Sequence, residues 1–365
     1  MWENFGPGHI DRCEAVAQRT GLDAHVVGIE IYNKSETYNW EREDRGTFER
    51  ITLFKNNDAA NGSAISRYFR CLSSCIRQSD AVYFLCHYER CATFALAMTL
   101  RLLGRRVFVM NDSKFDDYSR SLSREIIKYI YYLPYQGALA SGTRSKDYMR
   151  FLGVPEEKIR GNYNALSLSR IQALAMKYNN IPTVDFHQRH FTVVARLVPK
   201  KNLFRILDAY KKYSILDPAP RIMRILGSGP LEKELHLYAE KLGVSKLINW
   251  LGFVQTDLVA KELRSTLALI LLSTEEQFGN VVIEAQALSV PCIVSPEVGA
   301  RDHLIRSAIT GFIVESDNPD GAAYFMHLLA VDEPLWQRLR ANISCVAQHG
   351  DSASFAAAVT DLIAS

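Results

Sequence analysis

The chain has 365 residues, 48% of them hydrophobic, and its 43 basic and 40 acidic side chains leave a formal charge of +3. That length can bury two ordinary cores and points to about two domains, while the interleaving of the two signs leaves no basic stripe, so nucleic acid is not expected as a partner. Seven cysteines (13, 71, 75, 86, 91, 292 and 345) form no paired CxxC sets and fit a reducing compartment; the longest apolar runs fall short of the roughly 18 residues of a spanning helix and no basic-then-apolar leader opens the chain, so the expectation is a soluble, cytoplasmic protein.

In chain order, Met1 to Gly8 reads as loop, with Asn4, Gly6, Pro7 and Gly8, and an amphipathic helix begins near His9. A doubly wound domain ordinarily opens with a buried strand; either the recorded start lies downstream of the true one or the first strand is cut to a few residues. Short β-rich runs follow at His25–Ile29, Ile51–Phe54, Ala81–Cys86, Arg106–Met110 and Ala138–Ser141, with helical patterns between them. One of these patterns, Arg120 to Leu133, sets Arg120, Arg124 and Lys128 beside isoleucines and tyrosines; it is expected to pack its aromatic face on the sheet, with peripheral contact to an anionic membrane as the alternative. The polar stretch Tyr178 to Arg189, with Asn179, Asn180, Pro182 and His187, is the linker candidate.

A second strand series follows at Phe191–Ala195, Ile222–Leu226, Leu247–Leu251, Leu267–Leu272, Cys292–Val294 and Phe312–Val314, and two helical patterns, 321–348 and 352–363, close the chain. Strands alternating with helices predict an α/β protein with two doubly wound parallel sheets, residues 1–178 and 190–345, with 346–365 as a C-terminal segment. Ligands of such sheets bind outside the carboxyl ends of the strands, and two such domains are expected to leave a cleft between them.

The densest chemical signal is Leu269 to Val294: a strand, the loop Ser273-Thr274-Glu275-Glu276-Gln277-Phe278, Gly279, and a helix over about Asn280 to Leu288. Gly279 suits a tight turn beside a ligand, and the turn after it offers N–H groups to a phosphate. Glu276 in the loop and Glu284 in the helix can accept hydrogen bonds from vicinal hydroxyls, one per sugar ring; equally, acidic residues near a helix start merely complement its dipole. A second signal, Val193 to Asn202, ends a strand at Arg196 and opens a helix at Lys201, a fork and a point charge suited to a departing diphosphate without a divalent metal, though exposed basic residues are more often just solvated. The turn Gly227-Ser228-Gly229-Pro230 lacks the third glycine of a dinucleotide site, Glu232 standing there, and reads as a close nucleotide approach or a plain tight turn.

The Arg196 to Lys201 loop, the Gly227-x-Gly229-Pro230 turn, Gly252-Phe253-Val254, and Glu276-x7-Glu284 with Phe278-Gly279 and Glu284-Ala285 occur in the order and spacing of family 4 retaining glycosyltransferases. The resemblance is strong over about residues 190–315. It continues more weakly through Ser141-Gly142, Lys146-Asp147-Tyr148-Met149, Leu152-Gly153-Val154-Pro155, Lys158-Ile159 and Gly161-Asn162-Tyr163-Asn164. It implies the GT-B fold, two facing Rossmann-like domains: residues 1–178 binding the acceptor, 190–345 binding a nucleotide-sugar donor, and the C-terminal helix of 346–365 packing back on the N-terminal domain. By position it implies that Arg196 and Lys201 hold the donor pyrophosphate, Glu276 the transferred sugar and Glu284 the ribose. Backbone around Phe278, Gly279, Asn280 and Val281 would contact sugar and phosphate, and Gly6 and Gly8 would face the donor phosphates.

The same resemblance implies transfer of a hexosyl-type sugar from a UDP- or GDP-sugar to a carbohydrate, lipid-linked or small-molecule acceptor with retention, no protein nucleophile, no cofactor and no metal. Where many members carry a histidine, Asn111 or Asp112 stands after the strand Val107 to Met110; both are candidates for the reacting centre, and His9 and His87 for the acceptor side. The alternatives are a nucleotide-sugar epimerase or a phosphorylase of the same fold, the latter without a visible pyridoxal lysine context, and, from another class, a non-catalytic nucleotide-sugar-binding subunit.

Overall fold

The structure, a computed structural model, describes residues 1–33, 40, 41, 43, 45–55, 63–77, 80–178 and 184–365. Its elements run α1 (Pro7–Thr20), β1 (Val27–Tyr32), β2 (Glu49–Phe54), α2 (Ala64–Ile76), β3 (Val82–Leu85), α3 (Cys91–Leu102), β4 (Arg106–Asn111), α4 (Leu122–Tyr132), β5 (Ala138–Ala140), α5 (Thr143–Phe151), β6 (Ile159–Arg160) and α6 (Leu168–Met176). They continue β7 (His190–Val194), α7 (Leu203–Leu216), β8 (Met223–Leu226), α8 (Glu232–Lys241), β9 (Ile248–Gly252), α9 (Thr256–Arg264), β10 (Thr266–Leu271), α10 (Val281–Ala287), β11 (Cys292–Val294), α11 (Arg301–Leu304), β12 (Gly311–Ile313), α12 (Pro319–Val331), α13 (Glu333–Ala347) and α14 (Ser352–Ala364).

The chain divides into two compact units, one of Met1–Ser167 with Ser352–Ser365 and one of Leu168–Asp351. The first boundary therefore falls before α6, not within 178–190, because Ile171 and Ala175 turn the buried face of α6 toward its own unit and Gln172 Nε2 donates to Ala287 O at the end of α10. Asn179, Asn180 and Pro182 of the expected linker lie outside the described residues. The second boundary falls at 351/352, six residues beyond the expected 345.

In the first unit β3-β4-β5-β6 form one parallel sheet and β1-β2 a parallel pair. Met1–Glu3 joins them: Trp2 N donates to Ile29 O (3.0 Å), Ile31 N to Trp2 O (3.1 Å) and Tyr32 N to Glu3 O (2.8 Å), while Cys86 N donates to Met1 O on the other side (3.2 Å). Three residues thus take the place of the first strand, and the order β2-β1-(1–3)-β3-β4-β5-β6 is that of a doubly wound sheet whose direction reverses between Met1–Glu3 and β3. On one face lie α1 and α14, whose Phe355, Val359 and Leu362 are buried with Ile10, Phe108, Met110 and Leu139.

Helix α4 departs in part from expectation. Its inward stripe is Glu125, Lys128 and Tyr132: Tyr148 Oη donates to Glu125 Oε2 (2.6 Å), Lys128 Nζ to Glu125 Oε1 (3.0 Å), and Tyr132 is buried. With that polar stripe anchored, Leu122, Ile126, Ile127, Ile130 and Leu133 are exposed. Of its aromatic side chains, Tyr132 is buried in the core with Val107, Val109 and Ala138 and Tyr131 packs against it, as expected, while Tyr129 is exposed.

The second unit is a six-stranded parallel sheet ordered β12-β11-β10-β7-β8-β9. Continuous buried runs such as Thr266–Leu271 suit strands covered on both sides, and the core joins Phe191, Ile225 and Ile270 of the strands to Tyr210, Tyr213, Met326 and Trp336 of the covering helices. The strand order reverses between β7 and β10, so the loops after these two strands part at that point, the place where doubly wound sheets take their ligands. The single helical pattern of 321–348 is two helices, broken at Asp332, whose carboxylate accepts from Leu335 N (2.8 Å) as the cap of α13.

Candidate functional site

At the reversal point of the second unit the loop after β7 carries Arg196 and Lys201 and the loop after β10 carries Glu276. Lys201 Nζ pairs with Glu276 Oε2, both side chains 14% exposed, and Ser273 Oγ donates to the same carboxylate oxygen (3.2 Å). Thr274 N donates to Lys200 O (2.9 Å), which ties the two loops backbone to backbone. Asn202, left-handed at φ 58°, donates from Nδ2 to Leu272 O (2.9 Å) and Ser316 O (2.7 Å), so the turn that presents Lys201 is itself anchored to the end of β10.

Loop approach is close enough to demand glycine. A Cβ on Gly227, whose φ is +142°, would sit 1.8 Å from Ala195 O, and one on Gly299 would sit 2.0 Å from Gln277 O. Gly229 lies likewise against Leu197 O, and Leu197 N donates to Ser228 O (2.9 Å). The Gly227–Gly229 turn thus lies directly on the Arg196 loop. Gly279 has φ +96°. Phe278 is buried and its O accepts from Ala300 N (2.8 Å). The first bond inside α10 is donated by Val282 to Gly279 O (2.9 Å), so the N–H groups of Asn280 and Val281 precede the helix's own ladder; Glu284 lies in its first turn. The second unit therefore brings Arg196, Lys201, Gly227, Gly229, Glu276, Phe278 and Gly279 to one end of one sheet. Ser273, Asn202 and Gly299 complete it without having been singled out; the signal for Gly299 was the repeat of a glycine loop after β11, as after β8.

In the first unit Gly6, Gly8, His9 and His87 leave the reversal between Met1–Glu3 and β3. Gly6 N donates to His9 Nδ1 (3.0 Å), and His9 lies against Trp2 (5.3 Å between ring centroids) and Phe5 (6.1 Å). Burial, then the Arg12 charge, holds His9 well below the usual histidine range. The missing side chains of Gly6 and Gly8 are accounted for inside the unit, since a Cβ there would meet the Trp40 ring (2.4 Å) and the Leu166 side chain (2.6 Å). His87 is left-handed (φ 57°) with Nδ1 3.6 Å from Glu89 Oε1.

Asn111 ends β4 with its side chain occupied: Nδ2 donates to Tyr132 Oη (2.9 Å) and Oδ1 accepts from Ser113 N (3.1 Å). Asp112 has Asn164 Nδ2 at 3.4 Å, and burial raises its carboxyl above the usual range. The loop beyond is pinned by Lys114, which is 1% exposed and pairs with Asp117 (2.7 Å). A cavity of about 350 Å³ opens at this end, lined by Met1, Ile31, Arg67, Glu89, Arg90 and the first residues of α3; Arg90 pairs with Glu3 (2.7 Å), and Arg67 Nε is buried without a partner among the described residues. Neither arginine carried a sequence signal, because each acquires its setting only from the packing of α2 against α3.

Residues 177–344 match the family model described as Glycosyl transferases group 1. Curated relatives include a D-inositol 3-phosphate glycosyltransferase of Streptomyces bingchenggensis, 34% identical over 160 residues (41% of this chain, 35% of that one), and an uncharacterized glycosyltransferase of Methanocaldococcus jannaschii, 28% identical over 175 residues (47% and 44%). These matches span less than half the length of either relative. Among solved structures, Anabaena HepE in complex with UDP and glucose aligns over 100% of this chain and 98% of its own with a TM-score of 0.74 at 14% identity. The sucrose-phosphate synthase of Thermosynechococcus elongatus aligns over 97% and 91%, also with a TM-score of 0.74 at 14% identity. Residues 177–344 are thus similar to the Glycosyl transferases group 1 family, and the fold of the chain is GT-B.

Proposed function

We propose that this chain is a retaining glycosyltransferase that moves a hexosyl-type sugar from a UDP- or GDP-sugar to an acceptor held by the first unit. The observation that carries the reading is the convergence of Arg196, Lys201 and Glu276 at the strand reversal of the second unit, with glycines wherever the loops touch. Arg196 and Lys201 neutralise the departing diphosphate, and preorganised cations in a low-dielectric site do so without reorganisation. Glu276, a partner of Lys201 here, accepts hydrogen bonds from the sugar's hydroxyls when the diphosphate takes over the lysine. Glu284 does the same for the ribose, and the N–H groups near Gly279 to Val281 meet phosphate and sugar. An acceptor oxygen attacks the anomeric carbon on the face from which the phosphate oxygen leaves, and that oxygen takes the acceptor's proton; no protein nucleophile and no metal enter.

The glycosyltransferase name of the Streptomyces relative supports sugar transfer, and the UDP and glucose of the Anabaena structure support a nucleotide-sugar donor. The acceptor, whether carbohydrate, lipid-linked or small molecule, occupies the 350 Å³ cavity beside Arg67 and Arg90. The exposed apolar face of α4, with exposed Arg124 and half-buried Lys128 beside it, is suited to peripheral contact with an anionic membrane.

The test is turnover of a panel of nucleotide-sugars by the purified chain with EDTA present. One donor hydrolysed or transferred, with Lys201→Ala and Glu276→Ala each lowering turnover about 10²–10³-fold, supports the reading. A second reading rests on the occupied Asn111 side chain: a nucleotide-sugar-binding subunit without turnover. Donor-induced thermal stabilisation with no product would select it.

A further inference from the structure

At the other end of the second unit's sheet, by the amino ends of β7 and β10, lies a cavity of about 500 Å³, a volume typical of small-molecule sites. Arg189, Arg224, Lys261, Arg264 and Arg340 line it, with Glu262 as the one carboxylate of the lining. Glu262 pairs with Arg224; among the described residues the other four cations have no carboxylate within 4.0 Å. The lining thus carries five positive charges against one negative.

Helix ends account for part of this. Arg264 Nη1 donates to Tyr178 O (2.8 Å), Arg189 Nη1 to Arg264 O (3.0 Å) and Thr266 O (3.3 Å), and Arg340 Nε to Ser289 O (3.1 Å), carbonyls at or just beyond the ends of α6, α9 and α10. Three helix C-termini at about half a negative charge each amount to roughly −1.5, well short of the excess of four. Arg189 and Arg340 also flank the same Trp336 ring, at 4.8 and 4.5 Å, two like charges held together by packing and not by a counter-ion.

Among the described residues two buried polar atoms of this region lack partners: Arg189 Nε, and Nε2 of His190, a residue 3% exposed with a carboxylate oxygen of Glu262 at 3.8 Å. Burial, then Arg224 and Arg189, pushes His190 down to about 3, so the ring is neutral, and the one N–H it carries is held by the backbone of Glu262. Buried donors ordinarily have acceptors, and Arg189 Nε together with five cations against one carboxylate suits this cavity to an anionic ligand. Exposed Met176 and half-buried Tyr178, with Val184 and Leu288, supply an apolar wall.

We propose that this cavity binds a small molecule bearing a phosphate or diphosphate group, at a site separate from the loops of Arg196 and Glu276. The inference stands on the cavity alone and not on the glycosyltransferase reading. Titration calorimetry of the full chain with inorganic pyrophosphate is done in the Lys201→Ala background, which removes the lysine of the other end. One site per chain is expected, weakened about tenfold or more by Lys261→Gln and again by adding Arg264→Gln, with hydrogen-exchange protection gained at residues 188–190 and 261–265. Tighter binding of a nucleoside diphosphate than of pyrophosphate would assign the apolar wall to a base, and equal affinity would assign the site to simple phosphate compounds; either supports the site. No binding in the Lys201→Ala chain overturns the proposal, and so does binding that both substitutions leave unchanged while the melting temperature is retained.

Discussion

Gly227 leaves no room for any side chain: its φ of +142° alone would cost another residue about 1–3 kcal/mol, and its Cβ would press on Ala195 O at 1.8 Å. Gly227→Ala should therefore push the Gly227–Gly229 turn off the Arg196 loop, lowering stability in urea titration by at least that amount and weakening donor binding together with it. Asp112 makes a different claim. Burial raises its folded-state pKa, so over the window above the usual carboxylate value the native chain binds more protons than the unfolded one, and stability falls as pH rises through the raised pKa. Asp112→Asn, which keeps the Asn164 contact, should raise the melting temperature at pH 7 and leave it unchanged near pH 3.5; a gain equal at both values would refute the cause given. The residues of the second unit could be read from the chain because strand, loop and charge follow one another within ten positions. Those of the first could not, since Trp40 at Gly6, Tyr132 at Asn111 and Arg67 beside α3 are partners brought from afar.

Among the elements, buried parallel strands announced themselves as apolar β-branched runs, and the expected ranges overlap β1 to β5 and β7 to β12. Met1–Glu3 and β6 were silent because two or three residues carry no periodicity. Helix α4 was legible only in part: Tyr131 and Tyr132 pack on the core as expected, but the tyrosine–carboxylate–lysine stripe has the polar partners, so the isoleucine and leucine stripe turns outward. Replacing Ile126 and Ile130 together by Glu should leave the melting temperature within about 0.5 kcal/mol of equivalent stability and abolish co-sedimentation with vesicles containing anionic lipid. Retained co-sedimentation would remove α4 from any membrane contact.

For the molecule as a whole, the second unit is a continuous stretch, Leu168–Asp351, set into the first, which resumes at Ser352. Deleting 352–365 strips Phe355, Val359 and Leu362 from the core they share with Ile10, Phe108 and Met110, at about 1.5–3 kcal/mol for each large side chain, comparable with the whole stability of a domain. Limited proteolysis of that truncated chain should digest the first unit and spare residues 168–351, and the same segment expressed alone should melt cooperatively. This arrangement also inverts the usual order of birth. Domains generally mature from the amino end as they leave the ribosome, but here the unit begun first must wait, with the face of its sheet beside α1 only partly covered, until residues 352–365 emerge. The second unit is finished before its older neighbour, and a stalled message would release a chain whose nascent sheet is open to aggregation on one side.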